Sequence, residues 1–321
     1  MTSTTNLHEV IERGLGKIAY PNSPSKLYRP IEYVMGLGGK RMRPILLLMA
    51  YQLFDENIEK AISPALGIEI FHNFTLLHDD IMDNAPIRRG KQTVHEKWDN
   101  NIAILSGDTM LVQAYQLLSD VDKSIVKEVL TVFNKAAIQV CEGQQWDMDF
   151  ETQKEVSLQE YLKMIENKTA VLFGATLQIG AITAGASKEN QNNLYHFGLN
   201  MGIAFQLKDD LLDVFGNPDE FGKQIGGDIM ANKKTFLYLK ALQLANESQQ
   251  ENLHKFFNAK EESEEKVIGV KAIFTDLDIP KHTKDMMRAY YTKAMRHLNA
   301  IDSDNKAPLI AFSEKLMDRI S

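Results

Sequence analysis

Apolar residues recur at spacings of three and four through almost the whole chain, and that period commits it to helices. The first instance is residues 5–20, where Leu7, Val10, Ile11 and Leu15 share a face before Pro21 stops the segment. The same spacing predicts helices over 24–36, 44–54, 60–83, 95–119, 122–150, 157–184, 187–216, 232–246, 248–258, 262–275, 279–300 and 306–320. No alternating run of five or more residues suggests a strand. Only 9 Pro and 19 Gly punctuate 321 residues, which favours long helices over a many-stranded sandwich. Segments such as 169–186 are apolar on nearly every face and must be surrounded by other helices. No linker or fixed-period repeat divides the chain. The expected architecture is therefore all-α, a single domain over residues 1–321.

Charge narrows the range of partners. The chain carries 36 basic and 43 acidic residues, a net charge of −7, which argues against nucleic acid or an anionic membrane as the ligand. The N-terminal ten residues lack the basic start and apolar stretch of a targeting peptide. The apolar run at 45–51 falls short of the roughly 18 residues that a membrane span needs. Cys141 is the single cysteine, so no intramolecular disulfide can form, and a reducing cytoplasm is the expected location.

Two acidic clusters stand out on apolar helices. Residues 78–83 read His78-Asp79-Asp80-Ile81-Met82-Asp83, following Ile68, Ile70, Phe71, Phe74, Leu76 and Leu77. Asp79 and Asp83 at i and i+4 share a face, with Cβ atoms about 5–6 Å apart. Residues 206–213 repeat the spacing in Asp209, Asp210 and Asp213. Carboxylates so placed repel one another unless a cation lies between them. A single such cluster is usually a solvated face; two in apolar surroundings suggest a shared, inward-facing site for a hard divalent ion. Oxygen-only ligation suits Mg²⁺, which shares its shell with water and phosphate oxygens.

Cations accompany the acids. Gly38-Gly39-Lys40-Arg41-Met42-Arg43-Pro44 sets three positive charges beside glycines that allow close backbone approach to a phosphate. Arg88-Arg89-Gly90-Lys91 follows the first acidic helix, and Lys223 and Lys233-Lys234-Thr235 follow the second. Lys168 sits in a largely apolar helix, where an unpaired ammonium would be costly.

The stretches GGKRMRP, HDDIMDNAPIRRG, EGQQWD, NKT, FQLKDDLLD and GKQIGGDIMANKKT, in this order and spacing, resemble the trans-isoprenyl diphosphate synthases, also called polyprenyl synthetases. The resemblance runs through specific motifs from about residue 35 to 240. It implies a large orthogonal helical bundle around a central cavity, usually a homodimer, with three Mg²⁺ ions per active site. It implies a prenyltransferase that condenses isopentenyl diphosphate head to tail with an allylic diphosphate (dimethylallyl, geranyl or farnesyl). Matched residue by residue, Asp79, Asp83 and Asp209 bind metal, and Asp80, Asp210 and Asp213 support them. Lys40, Arg43, His72 and Arg89 hold the diphosphate of isopentenyl diphosphate. Arg88, Lys168, Lys223 and Lys233 hold that of the allylic substrate. Thr169 and Gln206 face the reacting carbons, with Gln144 and Asp147 nearby.

Product length is expected to follow from the first acidic helix. Phe74 precedes Asp79 by five residues and so lies about 7.5 Å further along the axis, where a ring would block a growing tail. In the family an aromatic here, without an aromatic next to it, goes with short chains; position 75 is Thr. Geranylgeranyl diphosphate (C20) is the expected product and farnesyl diphosphate (C15) the second choice. Three other readings compete. A class I terpene cyclase would use an acidic helix and Mg²⁺ but would not need GGKRMRP. A di-iron bundle would use the Glu-x-x-His spacings Glu69/His72 and Glu251/His254. A non-catalytic helical subunit would be expected to lose carboxylates that both clusters here retain.

Overall fold

A computed structural model describes residues 4–216, 226–259 and 263–317. The described residues are almost entirely helical, as the periodicity requires. Backbone contacts divide the chain into two compact units. One comprises Met1–Lys135, Ala175–Tyr195 and Ile301–Phe312, the other Ala136–Gly174, His196–Ala300 and Ser313–Ser321.

The first unit is organised around the helix Glu59–Met82, which ends in the first acidic cluster. Ala61, Ala65, Ile68, Ile70 and Phe71 are buried on several of its faces, so it needs neighbours all round. Asn100–Ser119 packs along it, and Thr4–Gly16, Ser25–Gly36 and Met42–Tyr51 complete the sheath. Each fully buried side chain such as Leu47, Leu48 or Phe71 contributes about 2 kcal/mol. The expected 95–119 helix is split into Val94–Lys97 and Asn100–Ser119, the second capped by Asp99, which accepts from the Ile102 amide at 2.8 Å. Between the two long helices, Ile87–Arg88 pairs antiparallel with Lys91–Gln92. Arg89 (φ +53°) and Gly90 (φ +73°) form the two-residue turn, both left-handed as such a hairpin demands.

The second unit contains the second acidic cluster, on the helix Lys188–Phe215. Leu158–Ile165 begins at a capping box in which Ser157 and Glu160 satisfy each other's backbone amides. The expected helix over 157–184 is interrupted by a wide π turn at Glu166–Ala170 before Val171–Thr183 continues. Phe236–Leu244 packs on Leu158–Ile165 and on Ile279–Asn299, and Glu264–Asp276 covers Gly227–Met230. Phe150, Tyr161, Leu207, Leu211, Phe236, Leu237 and Phe274 form the core. Among the described residues, no helix is long and apolar enough to cross a membrane.

Candidate active site

In the first unit the helix Glu59–Met82 delivers its carboxylates to different environments. Asp83 caps the helix C-terminus, donating its amide to the Asp79 carbonyl at 2.9 Å, and is exposed. Asp79 is half-buried and Asp80 is buried. The hairpin brings Arg88 back onto this end: its Nε donates to Asp80 Oδ1 at 2.7 Å and a terminal nitrogen to Asp79 Oδ2 at 3.4 Å. Burial pushes the Asp80 carboxyl up to about 6, against the pull of Arg88.

The cations expected to hold a diphosphate converge on the same helix. Arg43, buried, approaches His72 Nε2 at 3.0 Å, and its guanidinium falls to about 10 through desolvation yet stays charged at neutral pH. Burial, then the charges of Arg43, Arg89, Arg88 and Arg41, hold His72 well below its ordinary range, so the ring is neutral and can accept from Arg43. Arg89 donates to the carbonyl of Gly38, two residues before the exposed Lys40.

Phe74 lies on the flank of this helix, its ring 5.7 Å from Phe71 and 4.7 Å from His78. His78 fills a notch that Gly107 leaves open, since a Cβ there would lie 2.3 Å from its Nε2. Phe71 in turn meets Phe133 edge-on at 4.9 Å, so the aromatic stack is firmly backed.

In the second unit a cleft of about 100 Å³ is lined by Asp147, Tyr161, Lys168, Thr169, Gln206, Asp210, Asp228 and Lys233, with Phe150, Met164 and Ile165 as its apolar part. The π turn places the consecutive residues Lys168 and Thr169 on this one cleft, and such turns recur at functional sites. Gly143 allows the turn to approach, for a Cβ there would lie 2.2 Å from the Lys168 amide nitrogen. Lys168 Nζ pairs with Asp147 at 2.6 Å. Thr169 donates to Gln206 Oε1 at 3.0 Å, Gln206 Nε2 donates to Asp210 Oδ1 at 3.0 Å, and Tyr161 donates to the other oxygen of Asp210. This relay orients the Gln206 amide. Burial, followed by the nearby Asp228, raises the Asp210 carboxyl well above the usual range. Asp213 accepts from the Asp228 amide at 3.0 Å, and Asp209 is half-buried. Half-buried Gln144 lies next to Gly143 in sequence. Lys223 lies outside the described residues.

The donor chemistry fits a hard divalent cation. Asp79, Asp83 and Asp209 offer carboxylate oxygens on half-buried or exposed positions. Among the described residues no group of three His, Cys, Asp or Glu side chains is gathered closely enough to hold an ion unaided. A di-iron centre does not fit: Glu69 is ion-paired with Arg41 at 2.9 Å, His72 meets Arg43, and His254 lies 3.5 Å from the Tyr238 hydroxyl.

Four neighbours of these groups receive no role in the residue-by-residue match. Arg41 is buried and bound by Glu12 and Glu69; beyond its place in the glycine-rich stretch, the signal for its burial is the acid Glu69 set between Ile68 and Ile70. Tyr161, Asp228 and Lys234 also line the cleft, and Lys234 donates to the Phe150 carbonyl.

The polyprenyl synthetase family profile matches residues 24–276. A geranylgeranyl diphosphate synthase of Methanosarcina mazei is 34% identical over 312 residues, 96% of this chain and 94% of that one. Another from Sulfolobus acidocaldarius is 37% identical over 287 residues, covering 88% and 87%. A crystal structure of a geranylgeranyl pyrophosphate synthase superposes with a TM-score of 0.95 at 44% identity over 100% of both chains. The chain therefore belongs to the polyprenyl synthetase family and is a prenyltransferase of isoprenoid biosynthesis, one that condenses isopentenyl diphosphate with an allylic diphosphate.

Proposed function

We propose that the enzyme makes geranylgeranyl diphosphate, farnesyl diphosphate being the second choice of product. The observation that carries this reading is Phe74: a ring backed by Phe71 and His78, with the small Thr75 beside it. The names of the relatives agree with it.

Asp79, Asp83 and Asp209 hold Mg²⁺, three ions per active site, with Asp80, Asp210 and Asp213 supporting them. When bound, the ions supply Lewis-acid stabilisation of the departing diphosphate. Arg88, Lys168, Lys223 and Lys233 grip the allylic diphosphate, whose charge grows as the C–O bond breaks. Cations aimed at that charge stabilise the transition state more than the ground state. Lys40, Arg43, His72 and Arg89 hold the diphosphate of isopentenyl diphosphate. Its double bond attacks the allylic cation, and the departing diphosphate removes the proton. Thr169 and Gln206 face the reacting carbons, with Gln144 and Asp147 nearby, and apolar side chains exclude water. The working enzyme is one domain over 1–321, a homodimer, and cytoplasmic.

The test supplies Mg²⁺, isopentenyl diphosphate and C5, C10 or C15 starters and measures product lengths. C20 is expected from each. Products that stop at C15 or extend past C20 overturn the length assignment, and cyclised hydrocarbon formed without isopentenyl diphosphate overturns the reaction.

A further inference from the structure

Gly38, Gly39 and Arg41 all take left-handed backbone conformations, with φ of +74°, +145° and +46°. For Arg41, a residue with a Cβ, that conformation persists only where surrounding contacts over-determine it. The contacts are those of its own side chain. The guanidinium, 1% exposed, donates through Nε to Glu12 at 2.7 Å and through its two terminal nitrogens to Glu69 at 2.9 Å and to the Met35 carbonyl at 2.8 Å. The last bond closes the loop between Met35 and Arg41 on itself. Glu69 is held in turn by Asn73 Nδ2 at 3.0 Å. Glu12 belongs to the helix Thr4–Gly16, docked by fully buried Leu7 and Ile11 and lying before the first residue matched by the family profile.

This fastened loop carries the groups assigned to isopentenyl diphosphate. Lys40 precedes Arg41, Arg43 follows it by two residues and reaches His72, and the Gly38 carbonyl receives Arg89. A Cβ on Gly39 would lie 3.1 Å from the Arg89 guanidinium, so loop and hairpin are already in contact. We propose that Arg41, locked by Glu12 and Glu69, is a positioning residue that shapes the cradle for isopentenyl diphosphate, so that the N-terminal helix sets affinity for this substrate and leaves the allylic one untouched. The inference rests on the roles given above to Lys40, Arg43, His72 and Arg89.

Glu12 is the place to test it, because its side chain is 42% exposed and its replacement leaves no buried charge unpaired at Glu69. Steady-state kinetics on Glu12→Ala, Glu12→Gln and Arg43→Ala in the full chain separate KM for isopentenyl diphosphate, KM for farnesyl diphosphate and kcat. For Glu12→Ala, loss of one charge-assisted hydrogen bond should raise KM for isopentenyl diphosphate about tenfold, with the other two parameters within about twofold. Glu12→Gln restores an acceptor for Arg41 and should bring that KM back to within about threefold of the parent. A merely structural Glu12 would lower the melting temperature and the active fraction, hence kcat, without this selectivity. An unchanged KM in Glu12→Ala beside a raised KM in Arg43→Ala overturns the positioning role and leaves the cradle standing. Equal rises for both substrates in Glu12→Ala also overturn it. An unchanged KM in Arg43→Ala overturns the cradle itself and this inference with it.

Discussion

Gly143→Ala adds one methyl group where only backbone faces it. The new Cβ would lie 2.2 Å from the Lys168 nitrogen, 2.6 Å from its Cα and 2.8 Å from the carbonyl carbon of Asn167. All three are main-chain atoms, so no rotamer change relieves the overlap. Ordinary contact near 3.5 Å requires the π turn Glu166–Ala170 to retreat by about 1 Å. Lys168 and Thr169 ride on that turn, and Thr169 would lose its 3.0 Å bond to Gln206. A displacement of that size at reacting groups lowers turnover about a hundredfold. The overpacking itself lowers stability by about 1–3 kcal/mol. The assay measures kcat at saturating substrate, KM for isopentenyl diphosphate, and thermal unfolding. The expected outcome is folded protein, kcat down about a hundredfold, and KM for isopentenyl diphosphate within about twofold of the parent. A folded variant with kcat within about twofold of the parent would show that Gly143 does not hold Lys168 and Thr169 in place.

Phe74→Ala removes the ring backed by Phe71 and His78, and chromatography of its products should show chains longer than those of the parent. Asp79→Ala and Asp209→Ala should each lower kcat by about a thousandfold or more under saturating Mg²⁺, read by incorporation of labelled isopentenyl diphosphate. Asp80 is raised from 3.8 to about 6 by burial, so in protein stripped of divalent ions its stabilising contribution is present below its ordinary value and lost as pH rises through about 6. Asp80→Asn should therefore lose less melting temperature than the parent between acid and neutral pH; an equal loss would show that Asp80 does not carry the effect.

The helical fold was legible because burial and the helical period are coupled: Ile68, Phe71 and Leu77 must be covered, and only helices cover them at that spacing. The acidic pairs stand out in the sequence because i and i+4 acids on an apolar helix, once repeated, are harder to read as a solvated face; in the structure Asp79 and Asp209 are half-buried and Asp83 is exposed. What the pattern could not carry is backbone detail fixed by neighbours. The π turn at Glu166–Ala170 depends on Gly143, far away in sequence, and no local residue announces it. Arg41 reads as one more surface cation in a glycine-rich loop until Glu12 and Glu69 bury its charge. The hairpin at Ile87–Gln92 has strands of two residues, too short for any period to register. Asp210 matches its motif like Asp209, but Tyr161 and Gln206 turn it into a buried anchor.

In the proposed reaction, aspartate-held divalent ions release an allylic diphosphate for attack by isopentenyl diphosphate. Its most direct measurement is single-turnover coupling of labelled isopentenyl diphosphate to farnesyl diphosphate by chelator-treated protein, before and after Mg²⁺ is restored. No product is expected under chelator, and a C20 diphosphate once Mg²⁺ returns. Equal product in both conditions, or none in either from folded protein, would contradict it.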